Sequence, residues 1–311
     1  MLRRMLLAAS DSDRTRQLVT STPVTRGLVA RYVAGETTAD AVQVTRDLVA
    51  GGLLVSLDHL GEDTEDPDQA AAVTAEYTGL LGQLAAAGLA RDGRAEVSVK
   101  PSAVGLGLAE HGVKTATENI ARICAAARQA GTTVTVDMEE HGWVDATLRI
   151  VAELRADYPD LGCVIQAQLR RSAADCATLA TPGSRVRLCK GAYDAPDSAA
   201  YPTKHEVDRS YARCLRVLMN GPGYPMLATH DQRLIQIAAA QAALAARSPE
   251  SFEFQMLYGV RPAEQRRLAS TGAQVRVYLP YGSDWYRYLV RRLAERPANV
   301  SFFLRSLATA R

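Results

Sequence analysis

From about residue 50 onward the chain repeats one pattern of hydrophobic and polar positions: a short β-rich run, a stretch with helical spacing, then a Gly or Pro break. The β-like runs are LLVSLDHLG (53–61), AEVSVKPSAVG (95–105), TTVTVDMEEHG (132–142) and GCVIQAQL (162–169). Four more follow: SRVRLCKGAY (184–193), YPMLATHD (224–231), SFEFQMLYG (251–259) and AQVRVYLPYG (273–282). Between them, segments such as TENIARICAAARQAG (117–131), DATLRIVAELRADY (145–158) and HEVDRSYARCLRVLMNG (205–221) carry helical periodicity. Strands alternating with helices imply an α/β protein with a parallel sheet. Eight units in about 250 residues fit a closed (β/α)8 TIM-type barrel better than an open doubly wound sheet. Residues 1–50 stand outside that count. VTRGLVARYVAGETTADAVQVTRDLVAGG reads as two helices broken at Gly35, the second capped by Thr37 or Thr38. The expected organisation is an N-terminal helical arm over 1–50 and one barrel over 51–311.

Side chains alternate across a strand, so parity tells which residues face the barrel axis. AEVSVK sets Val97 and Val99 against Ser98 and Lys100, and TTVTVD sets Val134 and Val136 against Thr135 and Asp137. RVRLC sets Val186 and Leu188 against Arg185, Arg187 and Cys189. FEFQML opposes Phe252, Phe254 and Met256 to Glu253, Gln255 and Leu257, and AQVRVY opposes Val275 and Val277 to Arg276 and Tyr278. The apolar set must meet the helices. The polar set then faces inward and, at the carboxyl ends of the strands, lines the mouth where barrel enzymes place their chemistry. That mouth would hold Lys100, Asp137, Gln166, Arg187, Lys190, His230 and Tyr278. Burying such groups unpaired would be very costly, so they must pair with each other, with water or with a polar ligand.

Composition narrows the classes. The 311 residues are 47% hydrophobic, with a formal charge of +2 and a mean hydropathy of -0.10, as in a soluble globular protein with a sizeable core. Near-neutral charge without a Lys/Arg block gives no footprint for nucleic acid. The apolar run at the start, Met5 to Ala9, falls short of the roughly 7–15 residues of a secretory signal, so a cytoplasmic location is expected. The five cysteines lie far apart with no C-x-x-C pair, which argues for free thiols rather than a disulfide frame or zinc site.

The stretches VSVKPSAVG, TVDMEEHG, VIQAQLRRS, RLCKGAYD, LATHD, FQMLYG and YLPYGSDWYRYLVRRLAERPAN come in order, on strand ends or on the last helix. Together they closely resemble the bacterial monofunctional proline dehydrogenases, from about residue 24 to about 307. RLCKGAY and Y-x-PYG followed by YLVRRLAERPAN are the most specific of them. The resemblance implies a distorted (β/α)8 barrel that binds FAD, oxidises L-proline to Δ1-pyrroline-5-carboxylate and reduces a quinone, with at least transient contact with the inner face of the membrane. It implies a proline pocket of Lys100, Asp137, Leu257, Tyr278, Arg291, Arg292 and Glu295. It implies flavin contacts at Met138, Gln166, Arg187, Lys190, Gly191, Ala192, Thr229 and His230, with Asp137 and Arg187 taking part in the chemistry. Cys189 departs from the family, which tends to carry Val there, and adds a thiol near the cofactor.

The last helix shows why these residue types suit an amino acid. Tyr288, Arg291 and Glu295 share one face, and Arg292 also reaches Glu295. On pattern alone a surface ion cluster is the simpler reading. In the context of the motifs, two adjacent guanidiniums offer forked donors to a substrate carboxylate, aimed and partly neutralised by Glu295. Rival barrel chemistries remain at this stage. A Schiff-base aldolase would use Lys100 or Lys190. A metal-dependent hydrolase would use Asp58, Glu139, His141 and His230, though H-E-x-x-H is missing. A binding barrel would do no chemistry. GLG at 105–107 lacks the third glycine of a dinucleotide fingerprint, because Glu110 stands there.

Overall fold

The computed structural model describes residues 29–286, 288 and 289. After helix α1 (Thr38–Ala50) come β1 (Leu54–His59), α2 (Pro67–Ala86), β2 (Ala95–Val99), α3 (Gly112–Ala130), β3 (Val134–Val136) and α4 (Val144–Leu154). The second half continues with β4 (Gly162–Gln166), α5 (Ser172–Leu179), β5 (Arg185–Cys189), α6 (Lys204–Asn220) and β6 (Tyr224–Ala228). It ends with α7 (Gln232–Leu244), β7 (Glu253–Leu257), α8 (Pro262–Ser270) and β8 (Val275–Tyr281). The eight strands are parallel and close in chain order, with Ser56 of β1 opposite Tyr278 of β8. All eight expected strands are present. They are shorter than the sequence runs because the carboxyl end of each run turns out of the ladder to form the rim.

Local chemistry fixes the helix starts. Thr37 caps α1: its hydroxyl accepts from the Asp40 N–H, and the Asp40 carboxylate accepts from the Thr37 N–H. Thr203 and Glu206 build the same reciprocal cap on α6. Asp66 caps α2, with Pro67 in the first turn where its missing N–H costs nothing.

The apolar core lies between strands and helices, as parity requires. Val55, Leu57, Val97, Val99 and Val136 pack outward against Tyr77, Leu80, Leu81 and Leu84 of α2 and Ile120 and Ile123 of α3. Val186, Leu188, Phe254, Met256 and Val277 do the same on the far side. Each such side chain contributes about 1.5–3 kcal/mol when fully buried. α1 also enters this shell: its Ala41 and Val42 join the core beside Leu279 and Tyr281 of β8. It fills the ring position next to β8. The chain leaving β8 is therefore free to start a helix at the rim, where Trp285, Tyr286, Tyr288 and Leu289 pack with Tyr32, Val33 and Leu60. Backbone bonds from Ala34 N–H to Pro280 O (2.9 Å) and from Gly282 N–H to Gly35 O (3.0 Å) join the arm to that turn, and Trp285 Nε1 donates to Glu36 at 2.8 Å. Gly259 (φ +72°) lets the arm pass, since a Cβ there would lie 1.7 Å from the Arg31 carbonyl oxygen.

The barrel interior is polar, and its charged groups are paired. Near the amino ends of the strands Arg276 grips Glu253 with two bonds, Nε to Oε1 at 2.7 Å and Nη2 to Oε2 at 3.0 Å. Arg185 Nη2 donates to Glu96 at 2.7 Å. Nearer the mouth, Arg187 pairs with Asp137 at 2.8 Å and Lys100 with Asp58 at 2.5 Å. Four carboxylates thus face four cations. Removing one partner of such a pair strands the other in low dielectric. Arg276→Met is expected to lower unfolding free energy by about 3–5 kcal/mol in urea denaturation. A loss below about 1 kcal/mol would show that the pair is dispensable.

Candidate active site

The carboxyl ends of the strands surround a cavity of about 460 Å³, within the range of small-molecule sites. Lys100 comes from the end of β2, Asp137 and Met138 from β3, Gln166 from β4, and Arg187, Lys190, Gly191 and Ala192 from β5 and its loop. Thr229 and His230 follow β6, Leu257 ends β7, and Tyr278 lies on β8. All of these sequence-derived candidates line the one cavity, and Tyr288 joins them from the helix after β8. Arg291, Arg292 and Glu295 lie outside the described residues.

Asp137 is the meeting point. Its Oδ1 accepts from Ser98 Oγ and from Arg187 Nη1, each at 2.8 Å, and its Oδ2 accepts from Tyr278 Oη at 2.7 Å. Lys100 Nζ stands 3.9 Å from that second oxygen. Burial and the two carboxylates Asp137 and Asp58 push the Tyr278 phenol well above its ordinary range, so it remains a donor. Burial pulls Lys100 down, but Asp58 and Asp137 overcome it and raise the ammonium above its usual value. That is the opposite of what a Schiff-base lysine needs.

Arg187 spends all its donors inside the barrel. Nε reaches Gln255 Oε1 at 2.5 Å, Nη1 reaches Ser98 and Asp137, and Nη2 reaches Ser56 at 3.0 Å and Glu96 at 3.5 Å. The Tyr278 ring lies beside its guanidinium, 5.2 Å from Cζ to centroid. Arg187 is therefore held from several strands at once, between the carboxylates of Asp137 and Glu96.

Opposite, Lys190 pairs with Asp208 at 2.6 Å and Asp231 at 3.0 Å. Burial tends to raise the Asp231 carboxyl, but Lys190 holds it down at about 2. Gly191 has φ +107°, and a Cβ there would meet Gln168 Cδ at 2.4 Å, so this turn requires glycine. His230 Nε2 accepts the Leu257 N–H at 2.9 Å, which leaves its proton on Nδ1. Burial first, then the nearby Asp137 charge, pushes the Cys189 thiol up to about 12, so it stays protonated. Gln166 is buried, its Nε2 donates to Glu139 O at 2.6 Å, and no described residue donates to its Oε1.

Two residues carry more than the sequence reading gave them. Asp58, weighed there only as a metal ligand, is the closest partner of Lys100, and SLDH shows the same alternation that singled out the other strands. Glu139 does not face the cavity as a ligand would. Its two oxygens accept from the Ser102 N–H at 2.8 Å and the Ser102 hydroxyl at 2.6 Å. Ser102 in turn accepts from Asp63 and Thr64, so Glu139 ties the rim loops after β1, β2 and β3 together. Among the described residues no group of three or more His, Cys, Asp or Glu could hold a metal, and no helix is long and apolar enough to cross a membrane.

Burial, against the Ser102 bonds, lifts the Glu139 carboxyl from 4.5 to about 7. The folded protein keeps that proton to about pH 7, whereas the unfolded chain loses it near 4.5. The stability linked to this proton is therefore whole below about pH 4.5 and is lost, by about 3 kcal/mol, as pH rises through 7. Glu139→Gln is expected to flatten that part of the stability–pH curve in denaturant melts. An unchanged slope between pH 4.5 and 7 would remove Glu139 as its source.

Known proteins are similar to this chain in sequence and fold. The family described as proline dehydrogenase matches residues 41–305. A proline dehydrogenase from Deinococcus radiodurans is 36% identical over 99% of this chain and 98% of its own length. Proline dehydrogenase 1 from Bacillus subtilis is 34% identical over 99% of each. Among solved structures, proline utilization A from Bdellovibrio bacteriovorus, inactivated by N-propargylglycine, superposes with a TM-score of 0.80 at 26% identity, over 87% of this chain. The chain spans 33% of that longer protein.

Proposed function

The chain belongs to the proline dehydrogenase family, and from that premise we propose that its barrel mouth binds FAD against L-proline, yields Δ1-pyrroline-5-carboxylate and delivers the electrons to a quinone. It is an oxidoreductase acting on proline, in the first step of proline catabolism. The observation that carries the finer reading is the Lys100–Asp137–Arg187–Tyr278 junction at the floor of a cavity large enough for a small molecule.

The residues present fit a flavin. Gln166 Oε1 is a buried acceptor lacking a donor among the described residues, and an isoalloxazine offers an N–H. Met138, Gln166 and Arg187 would hold the ring system, while Lys190, Gly191, Ala192, Thr229 and His230 would line the rest of the cofactor. Bound there, the flavin supplies a hydride acceptor at N5 for the hydrogen on the ring carbon beside proline's nitrogen.

The protein's own share is placement and charge. Arg291 and Arg292 would take the substrate carboxylate in charge-assisted bonds, with Glu295 aiming them. Leu257 and Tyr278 would pack the apolar ring. Asp137 Oδ2, already turned toward Tyr278 and Lys100, would accept from the substrate amine. Arg187, fixed by Ser56, Ser98, Asp137 and Gln255, would keep a positive charge against the ring that receives the hydride. Electron delivery to a quinone would require contact with the membrane face.

A visible spectrum tests the reading directly. The purified protein should be yellow, and anaerobic L-proline should bleach it. A colourless protein trapped by borohydride with its substrate would replace this reading with the aldolase. Arg291→Met and Arg292→Met should each raise KM for proline tenfold or more, the worth of about 1.5–3 kcal/mol for a bond to a charged group, without loss of flavin. An unchanged KM would remove the carboxylate clamp.

A further inference from the structure

Of the five partners of Arg187, Asp137 and Gln255 line the cavity with it, whereas Glu96 does not. Glu96 is the second residue of β2, fully buried, two and four positions below Ser98 and Lys100 on the same inward face. Its remaining partners belong mostly to the other end of the barrel. Arg185 Nη2 donates to it at 2.7 Å, Thr133 Oγ1 at 3.1 Å and Thr135 Oγ1 at 3.2 Å, and Arg276 Nε stands 3.8 Å away. Ser56, which also accepts from Arg187, donates to Glu96 at 3.1 Å. Burial works to raise this carboxyl, but Arg185, Arg276 and Arg187 together hold it at about 2. It is an anion at every working pH.

Arg276 does not depend on this anion. It has Glu253 twice, and its Nη1 donates to the carbonyls of Val55 at 3.0 Å and Gly93 at 2.9 Å. Arg185 lies at the barrel end, partly open to water. Arg187 has no such outlet. It is 4% exposed, and Asp137 is its only other carboxylate among the described residues. Of the three arginines around Glu96, Arg187 is the one that lines the cavity.

We propose that Glu96 is a positioning residue for the reaction: it anchors Arg187 from below and cancels part of its charge, so an ion network at the far end of the barrel sets the field the cofactor meets. This rests on the flavin reading above. Take away the Glu96 charge and four interior cations face three carboxylates, with the surplus shared by Arg185 and Arg187. A less compensated cation under the ring favours the reduced, anionic cofactor.

The test is the midpoint potential of the bound flavin, measured by equilibration with a reference dye. Glu96→Gln keeps an oxygen acceptor and removes the charge. It should shift the reduction equilibrium about tenfold toward the reduced form, about 30 mV for a two-electron couple. Tyr224→Phe is the comparison. It removes bonds to Glu253 and Gln274 in the lower network and should lower stability while leaving the potential alone. If Glu96→Gln does not fold, Glu96→Gln with Arg185→Gln restores the overall balance but still takes the anion from beside Arg187, and should move the potential the same way by a smaller amount. A yellow wild type whose folded Glu96 variant keeps the wild-type midpoint, as Tyr224→Phe does, overturns this proposal alone. A wild type without flavin overturns the flavin reading and this proposal with it.

Discussion

The balance of charge inside the barrel is the constraint on which the rest depends. A parallel barrel usually fills its axis with branched apolar side chains. This one places arginines, a lysine and carboxylates there, and each is tolerable only because an opposite charge lies within reach. Arg187 and Asp137 are the junction, joined to Lys100 and Tyr278 above and to Glu96 below. The same bonds that make the interior stable also make the floor of the cavity rigid and charged. Stability and chemistry therefore share their residues.

The rim is organised differently, by loops tied to one another. Glu139 and Ser102 join the first three loops, and the residues around Gly35 and Gly282 join the arm to the turn after β8. Because α1 occupies the ring beside β8, the helix after β8 begins at the rim and presents Tyr288 to the cavity. A short arm packed at one edge thus decides what the closing segment can reach.

Much of the fold was legible because a closed parallel barrel leaves a plain trace. Val97 and Val99 against Ser98 and Lys100, or Val134 and Val136 against Thr135 and Asp137, can satisfy only one geometry once the apolar side must meet helices. The same alternation put Lys100, Asp137, Arg187 and Tyr278 around one cavity. Glu96 was missed and Asp58 was weighed only as a metal ligand although both obey it, because a lone carboxylate in a strand announces no partner; what gives each its meaning is a cation brought from another strand. Glu139 was misleading for a related reason. Its spacing from His141 suggested a ligand, whereas its oxygens are taken up by a backbone N–H and a hydroxyl that no spacing reveals. The guanidinium pair at 291 and 292 lies outside the described residues, so its part in the account rests on the motif.

The order of the strands has a bearing on how the chain can fold as it is made. Arg276 and Tyr278 arrive on β8, the last strand, yet they complete the bonding of Glu253 and Asp137 from β7 and β3. Until β8 docks against β1, Glu253 lacks its arginine and Asp137 its phenol, and an open seven-stranded sheet must keep its concave side hydrated. Dry closure is thereby postponed until β8 has been made and is nearly all-or-none, and the zipper that seals the wall also supplies the missing partners within it.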